Sequence, residues 1–333
     1  MLGERIRELR EKRGLSLIDL SCRAGLEMQL LEQIESGEVQ TLDNSTLMAI
    51  SDNLGITLAS DFIHLLNLNR HPRKFKCYRI GLLQTGSNAM RLMFSRNYKE
   101  ALEFMFGESI DIIAKYYRND ISREDVRCFA LKRDCLGHLE FDSAFFLHYF
   151  IDILTEHFKM ARVIFNIRDC YSWVNCMVNF VVNQRRENND KNWSTFMVGL
   201  QECFIRDKQD MINHLPHFID QMLVFWANEN QRILKMLPDG RSLIIKTHEI
   251  YRKVDEVARF LNIPVETLDR DMALTFPKVV NHNILHEFDY NFLNARFNEH
   301  CSELMTQFYP DYTLGDFLEG NYLTDIQIFR EQQ

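Results

Sequence analysis

The run Cys77-Tyr78-Arg79-Ile80-Gly81-Leu82-Leu83-Gln84-Thr85-Gly86-Ser87-Asn88-Ala89-Met90 reads as a buried strand, a tight loop and the first turn of a helix. A loop of this size at a helix N-terminus holds an anion through backbone N–H groups. Sites that move a charged group off such a loop usually add a cation at its edge. Here the edge carries Gln84, a neutral amide.

A strand of this kind needs parallel neighbours, and the chain supplies them. The pattern predicts strands at Tyr78–Leu83, Arg162–Ile167 and Ser242–Lys246. Helices are predicted at Gly86–Phe94 and onward through Phe106, at Phe145–Phe158, from Trp193 to Leu237 and at Val254–Leu261. Short β-branched runs between long helices point to a parallel sheet covered on both faces, with ligands at the carboxyl ends of its strands.

The first sixty-odd residues follow a different pattern. Apolar spacing is helical throughout, and Gly14, Gly25, Gly37 and Gly55 fall where helices should stop, while Asp43-Asn44-Ser45 offers cap oxygens. Five short helices are expected in an all-α module over residues 1–66. A proline and a run of positive charge, Arg70-His71-Pro72-Arg73-Lys74-Phe75-Lys76, then mark a basic linker at 67–76 before a large domain over 77–333.

The residues Gly3-Glu4-Arg5-Ile6-Arg7-Glu8-Leu9-Arg10, Gly14-Leu15-Ser16, Ala24-Gly25-Leu26 and Gln33-Ile34-Glu35-Ser36-Gly37 carry a resemblance. With Leu47-Ala49-Ile50-Leu54-Gly55, they resemble the Cro/C1-type helix-turn-helix family. In that family the third helix enters the major groove, which would present Met28, Gln29 and Gln33, the glutamines facing adenine edges. Dimers are a further implication of that resemblance. Charge runs against DNA: the module holds six basic residues against eleven acidic ones, and phosphate contacts supply most affinity for DNA. A helical docking or dimerisation module is the alternative reading.

A second resemblance covers the large domain. Ile80-Gly81-Leu82-Leu83-Gln84-Thr85-Gly86-Ser87-Asn88 resembles the 5′-phosphosulfate loop of sulfotransferases, and Arg162-Val163-Ile164-Phe165-Asn166-Ile167-Arg168-Asp169 with Cys176 resembles their 3′-phosphate motif. Ser242–Ile250 and Val257–Pro264 are similar to the family's late strand and helix. The resemblance implies a three-layer, P-loop-like α/β fold that binds 3′-phosphoadenosine 5′-phosphosulfate (PAPS) or 3′,5′-adenosine bisphosphate (PAP). Gln84, Thr85, Gly86, Ser87 and Asn88 would take the 5′ side, and Arg168 with Cys176 the 3′-phosphate.

Two positions depart from the family. Gln84 stands where a lysine or arginine is usual, and Cys176 where a serine closes the second motif. The first removes a cation directed at developing charge; the second removes a phosphate donor. Arg79, Arg91, Lys74 and Lys76 are the candidates for a replacement cation.

Sulfuryl transfer also needs a base for the acceptor. Asp142 and His148, between the two motifs, are the candidates, with His148 alternatively a satisfied core histidine. Glu100 and Glu103, read as lying on the helix after the loop, are further ones. The polar stretch from Asn183 to Trp193, leading into helices rich in aromatics, is expected either to enclose an acceptor or to be core.

The remaining features narrow the class. A net charge of −8 argues against a chain built to coat nucleic acid but leaves room for a local basic patch. The eight cysteines show no CxxC pair and no zinc spacing, so no metal is expected. Without a signal-peptide pattern or a membrane-length apolar run, a cytoplasmic, soluble protein is the expectation. A P-loop kinase is disfavoured because the loop lacks the G-K-[ST] ending. Two functions stay open: a sulfotransferase acting on a hydroxyl or amine acceptor and fused to a DNA-binding module, or a non-catalytic, nucleotide-sensing transcriptional regulator.

Overall fold

The computed structural model describes residues 2–39, 42–54, 73–187, 208–274, 283–321 and 323. The chain divides into two compact units, residues 1–74 with 123–138, and residues 75–122 with 139–333. No helix among the described residues is long and apolar enough to cross a membrane.

The first unit holds α1 (Leu2–Lys12), α2 (Leu17–Ala24), α3 (Met28–Ser36), α4 (Asn44–Asn53) and, from later in the chain, α7 (Arg123–Gly137). Its helices start and stop where local chemistry dictates. Ser16 caps α2 in a reciprocal capping box with Asp19, and Gly25 and Gly37 close α2 and α3 in the left-handed conformation. Asp43 caps α4 by accepting from the Thr46 N–H. Ile6, Leu9, Leu20, Leu31, Ile34, Leu47, Ile50 and Leu54 form the buried core, each contributing on the order of 1.5–3 kcal/mol by leaving water. The fifth expected helix lies outside the described residues.

Arginines in this unit are held by its own acceptors. Arg10 forms a bidentate pair with buried Glu35, both contacts at 2.7 Å, and also donates to the Leu15 carbonyl. Arg7 donates to the Glu35 carbonyl, Arg13 to that of Leu9, and Arg5 pairs with Glu8. Arg73 reaches α7, where its Nη2 donates to the carbonyl and carboxylate of Asp134 at 2.9 and 3.0 Å.

The second unit is built on five parallel strands: β1 (Cys77–Ile80), β2 (Glu100–Leu102), β3 (Phe141–Ser143), β4 (Arg162–Ile167) and β5 (Ser242–Lys246), in the order β2-β3-β1-β4-β5. The connecting and flanking helices are α5 (Ser87–Leu92), α6 (Phe106–Tyr117), α8 (Ile151–His157), α9 (Cys170–Glu187), α10 (Lys208–Met236), α11 (Val254–Leu261), α12 (Tyr290–Phe308) and α13 (Leu314–Leu318). One face of the sheet packs Cys77, Phe141, Ile164 and Ile245 against Met90, Phe94, Val254 and Val257, with the Phe94 and Phe141 rings stacked at 3.9 Å. The expected α/β class with a parallel sheet is what the chain forms.

Several sequence-based boundaries differ. The strand expected through Leu83 ends at Ile80, because Gly81 takes a φ of 148° and turns the chain out of the sheet. The segment expected to stay helical through Phe106 contains β2, so Glu100 lies on a strand and Glu103 just past its end. Asp142 lies within β3, and the helix expected over Phe145–Phe158 is a 3₁₀ turn at Phe145–Tyr149 followed by α8. Both missed strands have three residues, too few for alternation to show; their partners in the sheet hold them. Part of the polar stretch at 183–193 and the start of the helical region after it lie outside the described residues.

Candidate functional site

The site is assembled at the carboxyl ends of β1, β4, β5 and β3. From β1 the chain enters the loop Gly81–Gly86 and then α5. Two glycines are required there. A Cβ on Gly81 would lie 2.4 Å from the Asn166 carbonyl oxygen; one on Gly86, at φ 86°, would lie 2.5 Å from Ile250 Cδ1. Gln84 itself occupies the left-handed region at φ 63°.

Side chains from distant elements take up the carbonyl oxygens of the loop. Trp173 Nε1 donates to Leu83 O at 2.8 Å, Arg168 Nη1 to Gln84 O at 3.0 Å, and the Thr85 hydroxyl to Leu82 O at 2.6 Å. Thr85 O accepts from Arg79 Nη2 at 2.8 Å and lies 3.2 Å from the Thr247 hydroxyl. With its acceptors held inward, the loop leaves donors over: among the described residues none accepts from the N–H groups of Gly86, Ser87 and Asn88. That arrangement suits an anion.

The two sequence motifs meet at one residue. Arg168, just past β4, is fixed by donating Nε to Ser172 Oγ, whose hydroxyl is in turn held by Asp169. Its other arm reaches Gln84 O, and Cys176 Sγ on α9 donates to Gln84 Oε1 at 3.6 Å. Since that contact occupies the oxygen of the Gln84 amide, the NH₂ end is left as a donor. Trp226 on α10 donates to Arg168 O at 3.0 Å, so the long helix is tied to the same corner.

Arg79 is fully buried in β1. Its Nε donates to Asn166 Oδ1 at 2.8 Å, and its Nη2 to both Thr85 O and Thr85 Oγ1, the latter at 2.6 Å. Nη1 has no hydrogen-bond partner among the described residues. Burial pulls its pKa down, opposed by the nearby Glu103, whose own carboxyl is pushed up by the same desolvation. The other replacement cations are engaged elsewhere in this structure: Arg91 with Glu100 and Asn88, and Lys76 over the Phe158 ring. Lys74 belongs to the first unit.

The acceptor-side candidates separate. Asp142 is 3% exposed in the middle of β3, in register with Tyr78 and Ala101, while its neighbour Ser143 reaches the loop by donating Oγ to Ser87 O at 3.1 Å. His148 is 2% exposed, with Nδ1 2.5 Å from Phe145 O and Nε2 3.3 Å from the Glu229 carboxylate. Burial lowers the His148 pKa, and Glu229, despite its own desolvation, is held down at about 2 by His148 and Arg232. His148 therefore serves a buried polar cluster with Glu229, Arg232 and Tyr149.

On the first unit, α3 presents Met28 and Gln29 to solvent, with Gln33 half-buried. Glu27 and Glu32 are exposed beside them. Ser143, Trp173 and Thr247 carry no role in the sequence reading, Trp226 enters it only as one of the aromatics of the long helical region, and Arg79 only as a cation that swings in beside Gln84.

Comparison with known proteins gives three findings. Residues 3–68 match the family model described as a helix-turn-helix domain. A search of curated proteins finds no match. Among solved structures, the chain is similar to a sulfotransferase from Alicyclobacillus acidocaldarius, with 13% identity, a TM-score of 0.43, and coverage of 73% of this chain and 98% of that one. It is also similar to the sulfotransferase domain from the curacin biosynthetic pathway, with 14% identity, a TM-score of 0.31, and coverage of 71% and 98%.

Proposed function

We propose that the second unit binds a 3′,5′-bisphosphorylated adenine nucleotide and moves the sulfuryl group of PAPS to a hydroxyl or amine acceptor. The observation that carries this reading is the convergence on Gln84. The loop after β1 and the arginine after β4, which a doubly phosphorylated nucleotide needs as two separate anion sites, meet within hydrogen-bond distance of that one residue.

The residues fit such a ligand. The loop offers the unused N–H groups of Gly86, Ser87 and Asn88 to the 5′ side, and Gly86 lets Ile250 pack against the loop where a Cβ would stand. Arg168, with Cys176 beside it, takes the 3′-phosphate. Bound PAPS would supply an activated sulfuryl group; the chain's part is to position it and to stabilise charge on the departing bridge oxygen. Gln84 does this with its NH₂ group as a hydrogen-bond donor.

A second reading is favoured by two observations. The loop edge is neutral, and both sequence-predicted bases are buried, His148 against Glu229 and Asp142 within β3. In that reading the unit senses the nucleotide and the helix-turn-helix domain answers on DNA through Met28, Gln29 and Gln33, as a homodimer in the cytoplasm.

The deciding experiment pairs calorimetry of PAP binding with detection of sulfated product from a labelled donor and a panel of acceptors. Binding together with product, both lost in Arg168→Ala, supports transfer. Tight binding without product favours the sensor, and no binding removes both readings. For the sensor, the absence of any DNA preference at low salt, with and without PAP, is the overturning result.

A further inference from the structure

We propose that Arg79 is the cation of the 5′ side of this site, acting from inside the protein through the loop in place of the edge charge that Gln84 lacks. This rests on the nucleotide reading given above. Arg79 touches no ligand; it is a positioning residue whose charge acts across the Thr85 backbone.

Three observations converge on it. First, Arg79 grips the loop directly: Nη2 holds both the carbonyl and the hydroxyl of Thr85, while Nε is anchored by Asn166 on the next strand. Asn166 in turn donates to Ile245 O at 3.3 Å, so the guanidinium is held by a chain of contacts across β1, β4 and β5. Its place is therefore fixed before any ligand arrives.

Second, its charge has no ion-pair partner. The residue is 0% exposed, forms no ion pair among the described residues, and has one amino nitrogen without a partner. Glu103 is the carboxyl whose charge acts on it, without an ion-pair contact between the two. A buried cation without a counter-ion is costly in the free protein. An anion bound on the outer side of the same loop offsets that cost, so the unpaired charge becomes affinity for phosphate or sulfate oxygens.

Third, the loop is built to keep the guanidinium close. Gly81 leaves no room for a Cβ, which would lie 2.4 Å from Asn166 O and 2.8 Å from Thr85 Oγ1, the hydroxyl that Arg79 Nη2 holds, and 3.3 Å from that nitrogen itself. Arg91 is engaged by Glu100 and Asn88, and Arg168 reaches the loop from the 3′ side.

The test compares two ligands on the full-length chain by calorimetry: PAP and adenosine 3′-monophosphate, which lacks the 5′-phosphate. Wild type is expected to prefer PAP strongly. Arg79→Met should cut that preference at least about tenfold while leaving 3′-monophosphate affinity within about twofold; Arg79→Lys, which keeps the charge without the two-pronged clamp, should retain most of it. An unchanged preference in Arg79→Met overturns the inference while the nucleotide reading stands. Equal weakening of both ligands also overturns it, since that is what a purely structural role produces. If Arg79→Met does not fold, Arg79→Gln takes its place: a preference kept by lysine and lost by glutamine supports the inference, and an equal preference in the two overturns it. Wild type that binds neither ligand removes the nucleotide reading itself, and this inference with it.

Discussion

Cys176 Sγ donates to the side-chain oxygen of Gln84 across 3.6 Å, so the two residues that depart from the sulfotransferase pattern touch each other. A thiol against an amide is a weaker and less polar pair than a hydroxyl against an ammonium. The two departures thus meet at one corner of the site.

Restoring the charge tests that corner. On the proposed transfer reading, Gln84→Lys is expected to raise sulfuryl transfer by about 100-fold, the range in which a directed donor or cation usually counts. The variant keeps the left-handed backbone that Gln84 already adopts at φ 63°, so stability should change little. Product formation under saturating donor is the measurement, and an unchanged rate shows that the edge charge does not limit turnover.

Gly81 carries a stability prediction. At φ 148° with the Asn166 carbonyl oxygen 2.4 Å from an added Cβ, Gly81→Ala forces β1 away from β4 or strains the loop. The backbone conformation alone costs about 1–3 kcal/mol. A urea midpoint lowered by that amount or more at constant slope confirms it, and loss of PAP binding should accompany it.

His248 sets a pH dependence. Burial, outweighing the pull of Asp169, lowers its pKa to about 4. The unfolded chain, at the ordinary value near 6.5, therefore binds the proton more readily. The contribution to stability is fully present above about pH 6.5 and is lost as pH falls from there toward 4. Discounted for its partial exposure, the loss is about 1–2 kcal/mol. His248→Gln should remove that part of the slope in thermal melts between pH 7 and 4, and parallel curves for the two proteins would contradict the assignment.

In the first unit, Arg10→Met leaves the Glu35 carboxylate, 4% exposed, without its bidentate partner. Breaking a buried pair from one side typically costs 3–5 kcal/mol. Arg7, 3.4 Å from the same carboxylate, softens this, so a loss of about 3 kcal/mol is expected in chemical denaturation. A loss under about 1 kcal/mol would show that Arg7 substitutes fully.

Much of the scaffold was legible from sequence. Arg162–Ile167, Ser242–Lys246 and Val254–Leu261 have in the structure the bounds read from their residues, because long β-branched or amphipathic runs sit between clear punctuation. The capped helices of the first unit were equally plain. β2 and β3 were not, since three residues carry no period.

The site was legible only in its outline. The loop and Arg168 stand out by local pattern, yet the groups that fix them lie far away in sequence: Asn166 is 87 positions from Arg79, Trp173 is 90 from Leu83, and Thr247 is 162 from Thr85. An arginine inside a short strand looks like an edge residue until its partners are seen. His148 illustrates the converse, as its spacing placed it on a buried face but gave no sign of Glu229 on a distant helix.

The contact between Arg73 and Asp134 bridges 61 residues that belong for the most part to the other unit. The first unit is consequently discontinuous along the chain, and α7 leaves the ribosome only after β1, the anion loop and β2 have been made.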